Sequence, residues 1–170
     1  MPNPTTYSDD SVAEITTKPA QPLLTEGLYD AHCVEASLQD SKFKDATPGS
    51  KVLKLRWELD KQYEDEQSRE RHYVLYSKPL NLSIGEKSSL CQLCKNLTGQ
   101  PPKVEDREVE SDGKKTTKRV FNFRRFVGMR AKLVVKNHEH SGQIYNNISD
   151  YITDEAQRAE NLKGHELPDL

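Results

Sequence analysis

No stretch of this 170-residue chain approaches the roughly 18 consecutive apolar residues that a membrane-spanning helix needs. Apolar residues are scarce, 34 %, and charged residues plentiful, 31 %. The first value is low and the second high for a folded domain, so what matters is where the apolar residues collect. Cysteine is limited to Cys33, Cys91 and Cys94, too few and too odd in number for a disulfide framework. A reducing, cytoplasmic setting is expected. The first residues, MPNPTTYSDDSVAE, carry neither a basic patch nor an apolar run and do not read as a secretory signal. The glycine signatures of dinucleotide and phosphate loops, the G-x-S-x-G elbow and the H-E-x-x-H zinc motif are all missing. Carboxylates abound, but in loops and ends where nothing would desolvate them and shift a pKa. Neither an enzyme nor a cofactor is expected.

The charge is divided. The total is −2, yet residues 1–22 carry −2 and residues 153–170 carry −3, which leaves +3 on residues 23–152. A mildly basic body between acidic ends is a hint about partners. Residues 1–22 hold four prolines among Thr, Ser and Asp, lack hydrophobic periodicity, and read as a flexible N-terminal tail. Residues 153–170 read as an acidic mobile tail with at most a helical turn or two.

Between them the pattern is mostly β. Residues 28–36 read as a first strand, followed by a turn-rich polar segment. Over 51–59, Leu53, Leu55, Trp57 and Leu59 alternate with Val52, Lys54, Arg56 and Glu58, the period of a half-buried strand with Lys54 and Arg56 outward. Trp57 falls on the apolar face, as a core side chain or a stacking one. A charged hairpin connection leads to a third strand over 71–76, rich in β-formers. A helix is expected from Ser83, which stands three residues before Glu86 in the spacing of a capping box. Leu90, Leu93, Cys94 and Leu97 form its apolar stripe, and Gly99 with Pro101 and Pro102 stops it. Residues 103–112 are acidic and 114–123 basic around Asp112-Gly113, a hairpin-turn pair; an exposed hairpin and a disordered loop both fit. Residues 127–136 form a fourth strand, HEHSG a turn, and 143–149 a fifth. A helix between the third and fourth of five antiparallel strands is the order of an OB-fold barrel. The fold class expected is therefore mainly β, a five-stranded OB-fold-like antiparallel barrel over 23–152 with unstructured tails. The fallback is an open sheet with one packed helix.

Two features resemble metal sites. Cys91-Gln-Leu-Cys94 is a C-x-x-C, and His138 and His140 flank Glu139. Zinc would need all four donors around one ion, whereas the cysteines lie inside an amphipathic helix and the histidines at a hairpin tip. A core thiol and a solvated turn are expected, and no metal. The basic run is more informative. From Lys114 to Lys136 there are nine Lys or Arg residues and no acid, with Phe121, Phe123 and Phe126 among them. Single-stranded nucleic-acid sites combine cations along the phosphate backbone with flat rings for the bases. The competing reading packs Phe121 and Phe123 into the core and leaves the cations solvated. Phe126, beside the fourth strand, reads as core.

TEGLYDAHCVEA, KVLKLRWEL, GEKSSLCQLCKNLTG and FVGMRAKLVVKNHEHSGQIYNNISDY resemble segments of phage-encoded single-stranded DNA-binding-like proteins of the OB-fold type. The likeness spans roughly residues 25–152 and rests on turn glycines and strand starts. It implies sequence-tolerant binding of single-stranded DNA in phage replication or recombination. Lys54, Arg56, Arg124, Arg125, Arg130 and Lys132 would then neutralise phosphates, and Tyr76, Phe123 and Tyr145 would stack bases. The ending HELPDL is similar to the acidic, apolar-tipped tails of such proteins, which makes Glu166, Asp169 and Leu170 candidates for docking replication or recombination proteins. The alternative is a protein-interaction module, a phage accessory or inhibitor protein that binds a host partner through the charged hairpin.

Overall fold

The computed structural model describes residues 21–42 and 49–166, with side chains up to residue 163. Residues 1–20 and 167–170 lie outside the described residues, and with them most of the N-terminal tail, Asp169 and Leu170.

The chain is mainly β, a curled antiparallel half-barrel. Its elements are β1 (Gly27–Asp40), β2 (Lys51–Glu64), β3 (Glu70–Tyr76), the short β4 (Leu80–Asn81), α1 (Ser89–Thr98), β5 (Val104–Ser111), β6 (Lys114–Phe121), a 3₁₀ turn (Phe123–Phe126), β7 (Arg130–His140), β8 (Gln143–Ile152) and α2 (Glu155–Glu166). The main sheet runs β3-β2-β1-β7-β8, with β4 against β2, and β5-β6 form a separate ribbon.

Alternation decides the inside. Leu53, Leu55, Trp57 and Leu59 of β2 and Ala31 and Cys33 of β1 point inward, with Leu133 and Val135 of β7, and all are buried. Each of the leucine and valine side chains contributes about 1.5–3 kcal/mol on leaving water. Trp57 is fully buried and its ring lies 5.4 Å from that of Tyr151 on β8, so it is a core side chain. Bulges curl the sheet. One falls between Cys33 and Glu35, and β1 changes partner there: Gly27–His32 pair with β7, while Ala31–Asp40 pair with β2. Another lies between Glu58 and Gln62 of β2 and a third between Val134 and Val135 of β7.

The chain before β1 laces the two outer strands. The Gln21 amide donates to Val74 O and accepts from Val74 N, both at 2.8 Å, on the outer edge of β3. Leu24 is buried, and its N–H and C=O are held by the Asn146 amide of β8 at 2.8 and 3.0 Å. Side-chain amides here meet the strand edges as a peptide group would. Gln21, which the sequence reading placed in the tail, thus belongs to the fold.

The helix α1 starts later than the sequence reading placed it. Its cap is Ser88, whose side chain accepts from Cys91 N, and not Ser83. Ser83 instead accepts a bond from the Ser88 hydroxyl at its own carbonyl, as part of the turn before the helix. The stripe Leu90, Leu93, Cys94 and Leu97 is buried, and Gly99 ends the helix at φ 78°. The β5–β6 hairpin is formed, with Asp112 and Gly113 at positive φ in the turn. The strands β7 and β8 run on to a Ser141-Gly142 turn, so His138 and His140 belong to β7 and not to a loop.

The expectation of a mobile acidic tail from residue 153 needs correction. Residues 155–166 form α2, which packs on α1 and the 3₁₀ turn. Asn161 fastens it: its side chain accepts from Arg130 N and donates to Arg130 O and Leu97 O, all within 2.9 Å. Glu166 is therefore the last residue of a docked helix.

Candidate nucleic-acid interface

On the outward face of β2 and β3, the register sets Arg56 opposite Tyr76 and Glu58 opposite Val74. Tyr76 is 54 % exposed, and the Lys54 ammonium sits 5.0 Å from its ring centroid, a cation–π distance. Arg56 lies beside the ring with one guanidinium nitrogen 3.5 Å from Glu35. A shallow groove of about 590 Å³ runs along this face from Tyr76 past Arg56, Val74 and His72 towards Arg71 and Tyr63.

His72 and Arg71 were not singled out from the sequence. The His72 Nδ1 lies 2.8 Å from Leu59 O and its Nε2 lies 3.1 Å from the Gln62 amide nitrogen. A carbonyl can only accept, so Nδ1 carries the proton and Nε2 accepts from Gln62. The ring thereby pins the β2 bulge that forms the end of the groove. Arg71 shares the Asp65 carboxylate with Arg69, each at 3.1 Å. The Arg69 N–H, aided by the Arg71 side chain and the Gln67 N–H, holds that carboxyl at about 2, below the usual range.

Arg130 and Lys132 of β7 share the same outward face, two strands from β2 with β1 between. His32 of β1 pairs with Glu58 on one side and Arg130 on the other, which sets Arg130 roughly 10 Å from Glu58 at ordinary strand spacing. The Arg130 guanidinium is 2.7 Å from Asp60, and Lys132 pairs across the ladder with Asp30.

The remaining candidates lie elsewhere. Tyr145 is 46 % exposed but pairs with His138, eight residues beyond Arg130 and so about 26 Å along the strand. Phe123 is half-buried and packs against the core, as does Phe121, whose ring lies 5.8 Å from Phe126. Phe123 is thus no free platform for a base. Arg124 is exposed. The Arg125 side chain is only 10 % exposed and lies 3.8 Å from Glu105, at the base of the β5–β6 hairpin. Lys54, Arg56, Tyr76, Arg130 and Lys132 are therefore brought onto one face, and Phe123, Arg124, Arg125 and Tyr145 are not.

A second groove, of about 710 Å³, lies between α1, β4 and β8. Leu80, Leu93, Ile148 and Tyr151 line it with Lys78 and Arg158, the last tied to Thr153. Among the described residues, no group of three or more His, Cys, Asp or Glu side chains converges on a metal-sized site. Cys91 and Cys94 are both buried free thiols on α1. Among the described residues no helix is long and apolar enough to cross a membrane. No protein-family model, curated protein or solved structure matches the chain.

Proposed function

We propose that this chain is a sequence-tolerant single-stranded DNA-binding protein of the OB-fold type, with the strand running over the outward face of β2 and β3. The observation that carries this reading is the exposed Tyr76 ring with Lys54 against it and Arg56 beside it. A ring offers a base its face whatever the sequence, at about 1–3 kcal/mol per base, while the two cations meet the flanking phosphates. The strand order β3-β2-β1-β7-β8, with α1 between β3 and β7 in the chain, supports the OB-type reading. The resemblance read from the sequence, to phage-encoded single-stranded DNA-binding-like proteins, leads to the same reading.

Fluorescence anisotropy of a labelled oligo-dT of about 30 nucleotides, long enough for several stacking sites, tests the proposal. Binding is expected at low salt and falls as salt rises, with a slope near −0.7 per phosphate neutralised. Duplex of equal length should bind more weakly, and Tyr76→Ala should weaken single-strand binding by about 1–3 kcal/mol. Absence of binding at low salt rejects the reading. One observation favours a protein partner instead: Arg56 and Arg130 each face a carboxylate, a mixed surface suited to a complementary mixed surface. A salt-insensitive or absent response to oligo-dT would turn the assignment that way.

A further inference from the structure

The β5–β6 hairpin sorts its charges by face. Along one face the rungs are Asp106 opposite Arg119, Glu108 opposite Thr117 and Glu110 opposite Lys115. Acid meets base there, and Asp106 and Arg119 stand 3.7 Å apart. Along the other face the rungs are Glu105 opposite Val120, Arg107 opposite Lys118, Val109 opposite Thr116 and Ser111 opposite Lys114. Two cations face each other directly across the ladder, an arrangement that destabilises a strand pair. A ribbon that had only to fold would alternate signs on both faces, as the first face does.

The cationic face ends in a pocket of about 240 Å³ at the hairpin base, where Arg107 and Lys103 meet Arg124 and Arg125 of the 3₁₀ turn. Arg125 is nine-tenths buried there, and its Nε has no hydrogen-bond partner among the described residues. The acid in the pocket is Glu105, 3.6 Å from Arg107 and 3.8 Å from Arg125. Both separations exceed hydrogen-bond length, so Glu105 only partly neutralises either guanidinium. A buried, incompletely bonded guanidinium gains most from an oxyanion that can accept two bonds in its plane.

We infer that this face of the hairpin, from Lys114 through Lys118 and Arg107 to the Arg125 pocket, is a second contact for the phosphodiester backbone of single-stranded DNA. The inference rests on the nucleic-acid reading above and adds to it a separate site. The strand leaves the β2–β3 groove to be held by the hairpin through phosphates alone, with no base contact. The hairpin then accounts for salt dependence, and Tyr76 for stacking.

The test uses two matched double variants of the full chain: Arg107→Gln/Lys118→Gln on the cationic face and Lys115→Gln/Arg119→Gln on the paired face. Each removes two charges from exposed positions. Affinity for labelled oligo-dT is measured over a salt series. The first variant should lose about 1.4 from the slope of log K against log salt, at about 0.7 per cation, and should melt no lower than the parent because the Arg107–Lys118 repulsion is gone. The second should keep the parental slope. Equal losses in both variants, or no loss in the first, overturn the inference. If Tyr76→Ala abolishes binding while the first variant is unchanged, the groove stands and the hairpin contact fails. If the reverse holds, the hairpin stands and the groove fails. A parent that does not bind at low salt removes both. Inorganic phosphate added at fixed ionic strength should not displace the oligomer; displacement at low millimolar phosphate would make the pocket a free-anion site instead.

Discussion

Burial at Cys33 and Cys94 pushes both thiols up to about 12 from an ordinary value near 9. A thiol that stays protonated in the fold but ionises in the unfolded chain adds stability that is complete below pH 9 and is lost as the pH climbs towards 12. Burial also raises Tyr73 and Tyr151, which act in the same sense above pH 10. Denaturant midpoints should therefore hold steady from pH 7 to 9 and fall steeply beyond. Ellman's reagent at pH 8 should leave the thiols untouched until the protein unfolds, since all three are buried. Asp65 works with the opposite sign. Its carboxyl, held near 2, favours the fold above about pH 4, and that contribution disappears as the pH drops towards 2. An NMR titration of the Asp65 carboxyl should give a midpoint near 2, and Arg71→Gln should raise it.

Among the elements, the two helices differ in what holds them. The helix α1 presents an apolar stripe, and that stripe was readable because Leu90, Leu93, Cys94 and Leu97 recur at helical spacing. Its start was misread because Ser83 and Ser88 are both competent caps and only the turn decides between them. Ser88→Ala should cost about 1 kcal/mol in a denaturant melt, and Ser83→Ala only a few tenths. The helix α2 was invisible to periodicity, since what anchors it is a polar residue. Asn161 is 3 % exposed and saturates three backbone groups on β7 and α1. Asn161→Ala strands those groups without water, and a loss of about 2–4 kcal/mol is expected in the same assay. Bulges hid the end of the candidate groove in a similar way. Lys54, Arg56 and Tyr76 follow from strict alternation, whereas the β2 extension carrying Gln62 and Tyr63 lies beyond a register shift in a segment whose charges read as a turn.

Over the whole molecule, the mainly β, antiparallel character was legible because the core strands alternate cleanly. Closure was not. The β3 and β8 edges are joined by Gln21 and Asn146, whose amides replace peptide pairing across 53 and 122 residues of chain, and no local pattern announces such a bond. Gln21→Ala and Asn146→Ala should each destabilise by about 1–2 kcal/mol. Hydrogen exchange should quicken at the Val74 amide in the first variant and at the Leu24 amide in the second. The basic run was legible as a run, but its division between two faces and a pocket depended on hairpin register that only pairing reveals.

The lacing of Leu24 to Asn146 also sets an order in time. The residues that cover the β3 edge emerge early in synthesis, and the strand that holds them emerges almost last. Until β8 is made, β7 lacks its partner on one side and Leu24 has no Asn146 to hold it. A nascent chain halted before residue 143 therefore presents β7 as an open sheet edge, the state most inclined to pair with a neighbour. Completion of the final hairpin pairs that edge and fastens the early segment at Leu24 in the same late step.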